Sequence, residues 1–162
     1  MSSVRTEGLE EHLHSLSPGE QAVGLAAFRL ILDGTAASID VIADRAGLPR
    51  DDVESIVSQL AQRGLIVVDS SGDVVGSWGL SLLPMVHRLR IAGRDLYTWC
   101  AEDAIGIPAA LDEDATISSR CFQCGEPLTI EICAGHDARA SAPNVRIWLV
   151  EAEIGRSIVG CT

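Results

Sequence analysis

Apolar residues in the first half of the chain recur at the three- and four-residue spacing that is typical of amphipathic helices. Capping signals divide this region into separate helices. The clearest is Ser17-Pro18-Gly19-Glu20, which has the residues of a capping box and a proline in the first helical turn. Ser38 and Gly47 are the predicted cap residues at the start and end of the next helix. The predicted helices cover residues 9–16, 18–33, 39–46 and 49–63.

After residue 64 the pattern changes to the alternation of apolar and polar residues that is typical of strands. Residues 65–69 and 74–78 flank Ser-Ser-Gly-Asp, a hairpin signal. A helix is predicted from Asp95, as its N-cap, to about Leu111, and residues 136–143 are predicted to be a loop. The remaining predicted strands cover residues 86–91, 115–120, 128–133 and 145–150.

This order of elements predicts an α+β protein with two regions. Residues 1–79 would form a helical, winged-helix-like N-terminal region, because three helices followed by a hairpin are the winged-helix pattern. Residues 80–162 would form a small antiparallel sheet with one packed helix, ββαββ-like in outline, which carries all five cysteines.

The charge of the chain argues against a nucleic-acid partner. Twelve basic residues stand against 23 acidic ones, for a formal net charge of −11, whereas a DNA-binding domain needs a basic face. The helix that would enter the major groove carries Asp51, Asp52 and Glu54 at its N-terminal end, where a recognition helix places basic and amide side chains. We therefore predict that this winged-helix pattern does not bind DNA.

No apolar run approaches the ~18 residues of a membrane helix, and the first residues do not resemble a signal peptide. We expect a cytoplasmic protein without a membrane partner. Because thiols stay reduced in the cytoplasm, the five cysteines are interpreted as metal-binding, catalytic or buried residues.

Cys100 and Asp103 are three residues apart and would lie on one face of the helix predicted from Asp95. A buried carboxylate must be paired or protonated. A protonated carboxyl beside a thiol would place an acid next to a nucleophile or a soft-metal ligand. The alternative is a buried structural cysteine, with Asp103 capping a loop.

The sequence RLRIAGRDLYTWCAED at residues 88–103 is followed by IPAAL at 107–111 and ISSRC at 117–121. Together they resemble the organomercurial (alkylmercury) lyase family, which carries a GRDLYAWCALD-like run, a Pro-Ala pair on the same helix and an S-S-x-C segment. The resemblance implies an α+β core behind a winged-helix-like lid. It also implies cleavage of carbon–mercury bonds in an organomercurial substrate without an organic cofactor, Hg(II) as the bound product, and mercuric reductase as the product acceptor.

Cys100 and Asp103 match the family's first catalytic cysteine and its catalytic aspartate. In the family, the thiolate attacks mercury and the aspartate mediates proton transfer to the leaving carbon. Cys161 is the candidate for the second cysteine, which completes the sulfur pair that retains Hg(II). Family members continue beyond this cysteine, so the resemblance is to a shortened or divergent member.

Cys121 matches a family cysteine that is regarded as buried and structural, whereas Cys124 departs from the family. The two form Cys-x-x-Cys-Gly, the pattern of a zinc knuckle, so both are candidate metal ligands and zinc is a candidate ion. Cys133 and His136 could complete a Cys₃His site, although a regular hairpin would carry Cys133 away from the knuckle.

Two other functions use the same thiols. One is a non-enzymatic protein that binds Hg, Cu or Zn on thiolates, and the other is a winged-helix metal sensor. Release of methane or benzene from methylmercury or phenylmercury would distinguish a lyase from a binder.

Overall fold

The computed structural model describes residues 16–135 and 137–147, which form four helices and eight strands. The α+β class predicted from the sequence is confirmed. The helices are α1 (Pro18–Leu32), α2 (Ile39–Ala46), α3 (Arg50–Gln62) and α4 (Ala101–Leu111). The strands are β1 (Ile66–Val68), β2 (Val74–Ser77), β3 (Leu80–Ser81), β4 (His87–Ile91), β5 (Arg94–Thr98), β6 (Ala115–Arg120), β7 (Pro127–Ile132) and β8 (Ala138–Ala140).

The capping residues predicted for the first helices are confirmed. At the start of α1, the backbone N–H of Glu20 donates to Ser17 Oγ at 3.3 Å, and Ser17 N–H donates to Glu20 Oε2 at 2.7 Å. Ser38 caps α2, which ends at Gly47 in the left-handed region. Glu20 also accepts a hydrogen bond from Arg63 at 2.6 Å, which ties the start of α1 to the end of α3. In the part of the chain described, no helix is long and apolar enough to cross a membrane.

All eight strands belong to one antiparallel sheet with the order β1-β2-β3-β5-β4-β6-β7-β8. The hairpin of the winged-helix pattern therefore continues directly into the sheet of the C-terminal half. Helix α1 packs on β2, and α4 packs on β4 and β5. Leu89 pairs with both Leu96 and Ile117 across the sheet, and these three buried side chains share one core with Ala104 and Ile107 of α4. Helix α4 is thus held against the middle of the sheet.

The prediction of a helix starting at Asp95 is wrong. Residues Arg94–Thr98 form strand β5, which pairs with β4 through a turn at Ala92 and Gly93, and helix α4 begins only at Ala101. Within β5, Leu96 and Thr98 are buried whereas Asp95 and Tyr97 are more exposed, which is the period of a strand. Asp95 caps no helix and instead forms an ion pair with Arg88 at 3.0 Å.

Two predictions near the C-terminus also need correction. The loop predicted at residues 136–143 contains strand β8, which pairs with β7 at the edge of the sheet. In the strand predicted at 145–150, residues 145–147 are not a strand, and residues 148–150 lie outside the described part. The helix predicted at residues 9–16 also falls outside it, apart from Leu16.

Candidate active site

Cys100 lies at the junction where strand β5 gives way to helix α4. The backbone N–H of Trp99 donates to the carbonyl of Gly79 at 2.9 Å, which extends the pairing between β5 and β3 by one residue. The hydroxyl of Thr98 donates to the carbonyl of Cys100 at 3.1 Å. These contacts fix the backbone on the N-terminal side of Cys100, and the helix fixes it on the other side.

Cys100 is the N-cap residue of α4, a position that serine or aspartate usually occupies. Its sulfur accepts a hydrogen bond from the backbone N–H of Asp103 at 3.4 Å, and its thiol donates to Asp103 Oδ2 at 3.1 Å. The predicted proximity of these two residues is therefore confirmed. It arises from capping geometry rather than from a shared helical face.

Burial controls the protonation of this pair. Burial, followed by the negative charge of Asp103, raises the pKa of the Cys100 thiol to about 12. Burial also raises the pKa of Asp103, although hydrogen bonds from Cys100 oppose that shift. A helix N-terminus usually lowers a thiol pKa, but here burial and the adjacent carboxylate outweigh it. At neutral pH Cys100 is therefore a thiol, and it donates to Asp103 Oδ2.

A tight turn presses against this carboxylate from the other side. Trp78 and Gly79 join β2 to β3 with φ values of 46° and 85°, as a two-residue hairpin turn with positive φ at both positions requires. A Cβ atom at Gly79 would overlap Oδ1 and Cγ of Asp103. Glycine is thus needed here twice, for its backbone conformation and for the space that the Asp103 carboxylate occupies.

Gly79 is a site residue that sequence analysis missed. The glycine between the two strands is a signal for a turn, and it could have located the hairpin. It could not have indicated that Asp103, 24 positions later in the sequence, would lie against that turn.

Residues 80–161 match the sequence model of the MerB family, described as alkylmercury lyase. The chain belongs to the alkylmercury lyase family. An alkylmercury lyase of Bacillus cereus is 31% identical over 108 residues, which are 67% of this chain and 48% of that protein. One from Pseudomonas putida is 39% identical over 64 residues, which are 40% of this chain and 30% of that protein.

A solved structure described as the mercury-bound form of MerB2 is similar in fold. Its TM-score is 0.74 at 32% sequence identity, and the match covers 82% of this chain and 64% of that one. The resemblance to alkylmercury lyases inferred from the sequence is thereby confirmed. The chain spans about half the length of the curated relatives, since the match covers 48% of the Bacillus cereus protein.

The other candidate ligands of this alkylmercury lyase homologue do not join Cys100 in the described structure. Cys161 lies outside the described residues. Cys121 and Cys124 lie in the turn between β6 and β7. Cys133 follows the opposite end of that hairpin, about 17 Å away, since five residues at ~3.4 Å separate the Arg120–Pro127 pair from the Ala115–Ile132 pair.

The Cys₃His site proposed from the sequence is therefore wrong, because Cys133 cannot reach the two knuckle cysteines. Its fourth member, His136, lies outside the described residues. Among the residues with described positions, no group of three or more His, Cys, Asp or Glu side chains could hold a metal ion.

Proposed function

We propose that this protein is an organomercurial lyase, which cleaves carbon–mercury bonds and retains Hg(II) on cysteine sulfur. The observation that carries the proposal is the hydrogen bond of 3.1 Å from the Cys100 thiol to Asp103 Oδ2. That contact places a soft ligand and a proton-transfer group side by side, in a chain whose relatives are named alkylmercury lyases. The mercury-bound form of MerB2 supports mercury as the ion concerned.

In the first step, mercury of R–Hg–X binds the Cys100 sulfur. Sulfur is the soft ligand that suits such an ion, and metal binding requires the thiolate. The thiol proton passes along its hydrogen bond to Asp103, and X⁻ leaves. The products of this step are R–Hg–S on Cys100 and a protonated Asp103 carboxyl. The high pKa of Cys100 makes it a poor free nucleophile, and Asp103 is an adjacent acceptor for its proton.

In the second step, Asp103 returns that proton to carbon. The carbon–mercury bond breaks, its electron pair takes the proton, and R–H leaves while Asp103 becomes a carboxylate again. This is general acid catalysis, typically worth ~10²–10⁴-fold in rate. The raised pKa of Asp103 favours its acid form relative to an exposed aspartate. We propose Cys161 or a solvent thiol as the second sulfur on the remaining Hg(II).

Both chemical roles belong to side chains of the protein, so we propose no organic cofactor. We do not propose a role for zinc, because Cys121 and Cys124 supply two of the four ligands of a structural zinc site. Mercuric reductase is the proposed acceptor of the product, and the reducing cytoplasm, which maintains free thiols, is the proposed compartment.

Residues 1–79 are proposed to act as a structural, winged-helix-like region that supports the catalytic core at 80–162. Gly79, at the end of this region, lies against Asp103.

A nucleic-acid partner is not proposed. Arg50, the basic residue at the start of α3, is paired with Asp40 at 2.8 Å and with Glu54 at 3.0 Å, so its charge is already neutralised.

Phenylmercury turnover tests this function. With excess small-molecule thiol, the 162-residue chain should release benzene catalytically. Cys100→Ser should reduce release to the uncatalysed rate, because a hydroxyl oxygen is too hard a ligand to replace the thiolate. Cys133→Ser is the matched control, since it removes an exposed thiol at the far end of the β6–β7 hairpin and should leave turnover unchanged. Tight mercury binding by the parent chain without benzene release would instead identify a non-enzymatic thiolate protein.

A further inference from the structure

The turn between β6 and β7 holds a second pair of thiols in a defined geometry. The backbone N–H of Cys121 donates to the carbonyl of Glu126, and that of Gly125 donates to the carbonyl of Cys121, both at 2.8 Å. Gly125 has a φ of 73°, which lets the chain turn back. Arg120 closes the turn from outside by donating to the carbonyl of Gly125 at 3.1 Å. Cys121 and Cys124 are therefore held by backbone contacts rather than placed on a free loop.

Both cysteines of this pair belong to one tight turn, which Cys121 closes through its own N–H and carbonyl. The nearby backbone amides of Cys124 and Gln123 hold the pKa of the Cys121 thiol below its ordinary value, and the Cys124 thiol contributes in the same direction. This environment is opposite to that of Cys100, whose pKa burial raises. A thiolate that accepts turn amides is the form that binds soft metals.

The pair is also accessible. Cys124 is exposed, and the intervening Phe122 has 93% of its surface exposed to solvent. Within residues 16–135 and 137–147, no group of three or more His, Cys, Asp or Glu side chains could hold a metal ion. Two sulfurs without further ligands suit a soft ion that is satisfied by near-linear coordination, such as Hg(II), and do not suit Zn(II), which takes four ligands.

The register of the sheet places this turn at the same end of the strands as Cys100. Strand β5 ends at Thr98, opposite His87, and His87 Nδ1 lies 2.8 Å from Ser119 Oγ near the end of β6. Two strand spacings, about 10 Å, separate β5 from β6. If the proposed function holds, the ion set free at Cys100 is released close to this turn.

We propose that Cys121 and Cys124 form a second, surface Hg(II) site that is separate from Cys100 and binds the ion through two sulfurs. The step is ligand exchange without electron transfer. A bis-thiolate complex Hg(SR)₂ reacts with the two protein thiols, two sulfur–mercury bonds form on the protein, and two RSH molecules leave with the protons of Cys121 and Cys124.

Titration of the 162-residue chain with HgCl₂, in competition with a small-molecule thiol, tests this site. All variants carry Cys100→Ser, which removes the candidate catalytic sulfur, and all retain Cys161. Adding Cys121→Ser and Cys124→Ser should weaken Hg(II) affinity by at least about 100-fold, because oxygen replaces both soft ligands. Adding Cys133→Ser, which removes one exposed thiol elsewhere, should leave affinity unchanged.

X-ray absorption at the mercury edge should show two sulfur neighbours of mercury in the Cys100→Ser chain. These neighbours should be absent when Cys121→Ser and Cys124→Ser are added. The single change Cys124→Ser, at an exposed position, should give the same loss of affinity without disturbing the fold. Equal Hg(II) affinity with and without Cys121 and Cys124 would overturn the proposal. Because the probe is inorganic Hg(II), failure of carbon–mercury cleavage would not affect this result.

Discussion

Asp103→Asn should lower phenylmercury turnover by about 10²–10⁴-fold, the usual contribution of general acid catalysis, while Hg(II) affinity stays within a few-fold. Asparagine keeps the shape and the hydrogen-bonding edge of the side chain but cannot carry the transferred proton. Glu102→Gln is the matched control, because it removes an exposed carboxylate from the same helical turn. Its turnover should stay within a few-fold of the parent chain.

The same substitution should make Cys100 more reactive toward a simple alkylating agent. The pKa of Cys100 is raised to about 12, mainly by burial and secondly by the charge of Asp103. Asparagine removes only the second cause, so the thiol pKa should fall and the thiolate fraction at pH 8 should rise. Alkylation by iodoacetamide should then accelerate about tenfold for each unit that the pKa falls, as long as the thiolate remains the minor form.

Slower turnover together with faster alkylation is expected only if Asp103 acts on the proton of Cys100. A purely structural Asp103 would give a lower melting temperature and a loss of activity in proportion to the loss of folded protein. Unchanged turnover in Asp103→Asn would contradict the mechanism.

Gly79→Ala should reduce turnover by about 100-fold, because a displacement of about 1 Å at a catalytic group can cost that much. The new Cβ would overlap Oδ1 and Cγ of Asp103, so the carboxylate or the turn must move. Moving the carboxylate away from the Cys100 sulfur should also lower the thiol pKa and speed alkylation, as in Asp103→Asn.

Gly72→Ala controls for backbone strain. Gly72 has a φ of 87°, against 85° at Gly79, but a Cβ there would meet no atom within 4 Å. Both substitutions place alanine in the left-handed region and should destabilise the fold by about 1 kcal/mol. Only Gly79→Ala should lose turnover. Similar losses in the two variants would show that strain, and not contact with Asp103, explains the effect.

The elements that the sequence predicts well are those specified by local chemistry. The capping box at Ser17 and Glu20 and the cap residues Ser38 and Gly47 each satisfy the backbone of their own helix, so their signals do not depend on the rest of the fold. Strand β5 was predicted as helix because Gly93 and Asp95 are also a plausible helix start. The segment forms a strand rather than a helix because it pairs with β4 on one side and with β3 on the other.

The contacts of the candidate site also include some that local sequence predicts and some that it does not. The contact between Cys100 and Asp103 follows from a spacing of three residues, which brings side chains together at a helix cap as well as along a helical face. The approach of Gly79 to Asp103 depends on how β3 pairs with β5, and no local pattern contains it. The distance between Cys133 and the knuckle cysteines could be predicted, because the register of a single hairpin determines it.

The most direct test of the account is a single turnover with one equivalent of phenylmercury and no added thiol. Quenched samples would be assayed for benzene and, by mass spectrometry of peptides, for the adduct on the segment that contains Cys100. We expect about one equivalent of benzene and Hg(II), without its phenyl group, on that segment. In Asp103→Asn we expect intact phenylmercury on Cys100 and almost no benzene. A parent chain that keeps intact phenylmercury on Cys100, or that carries its mercury on other cysteines alone, would contradict the account.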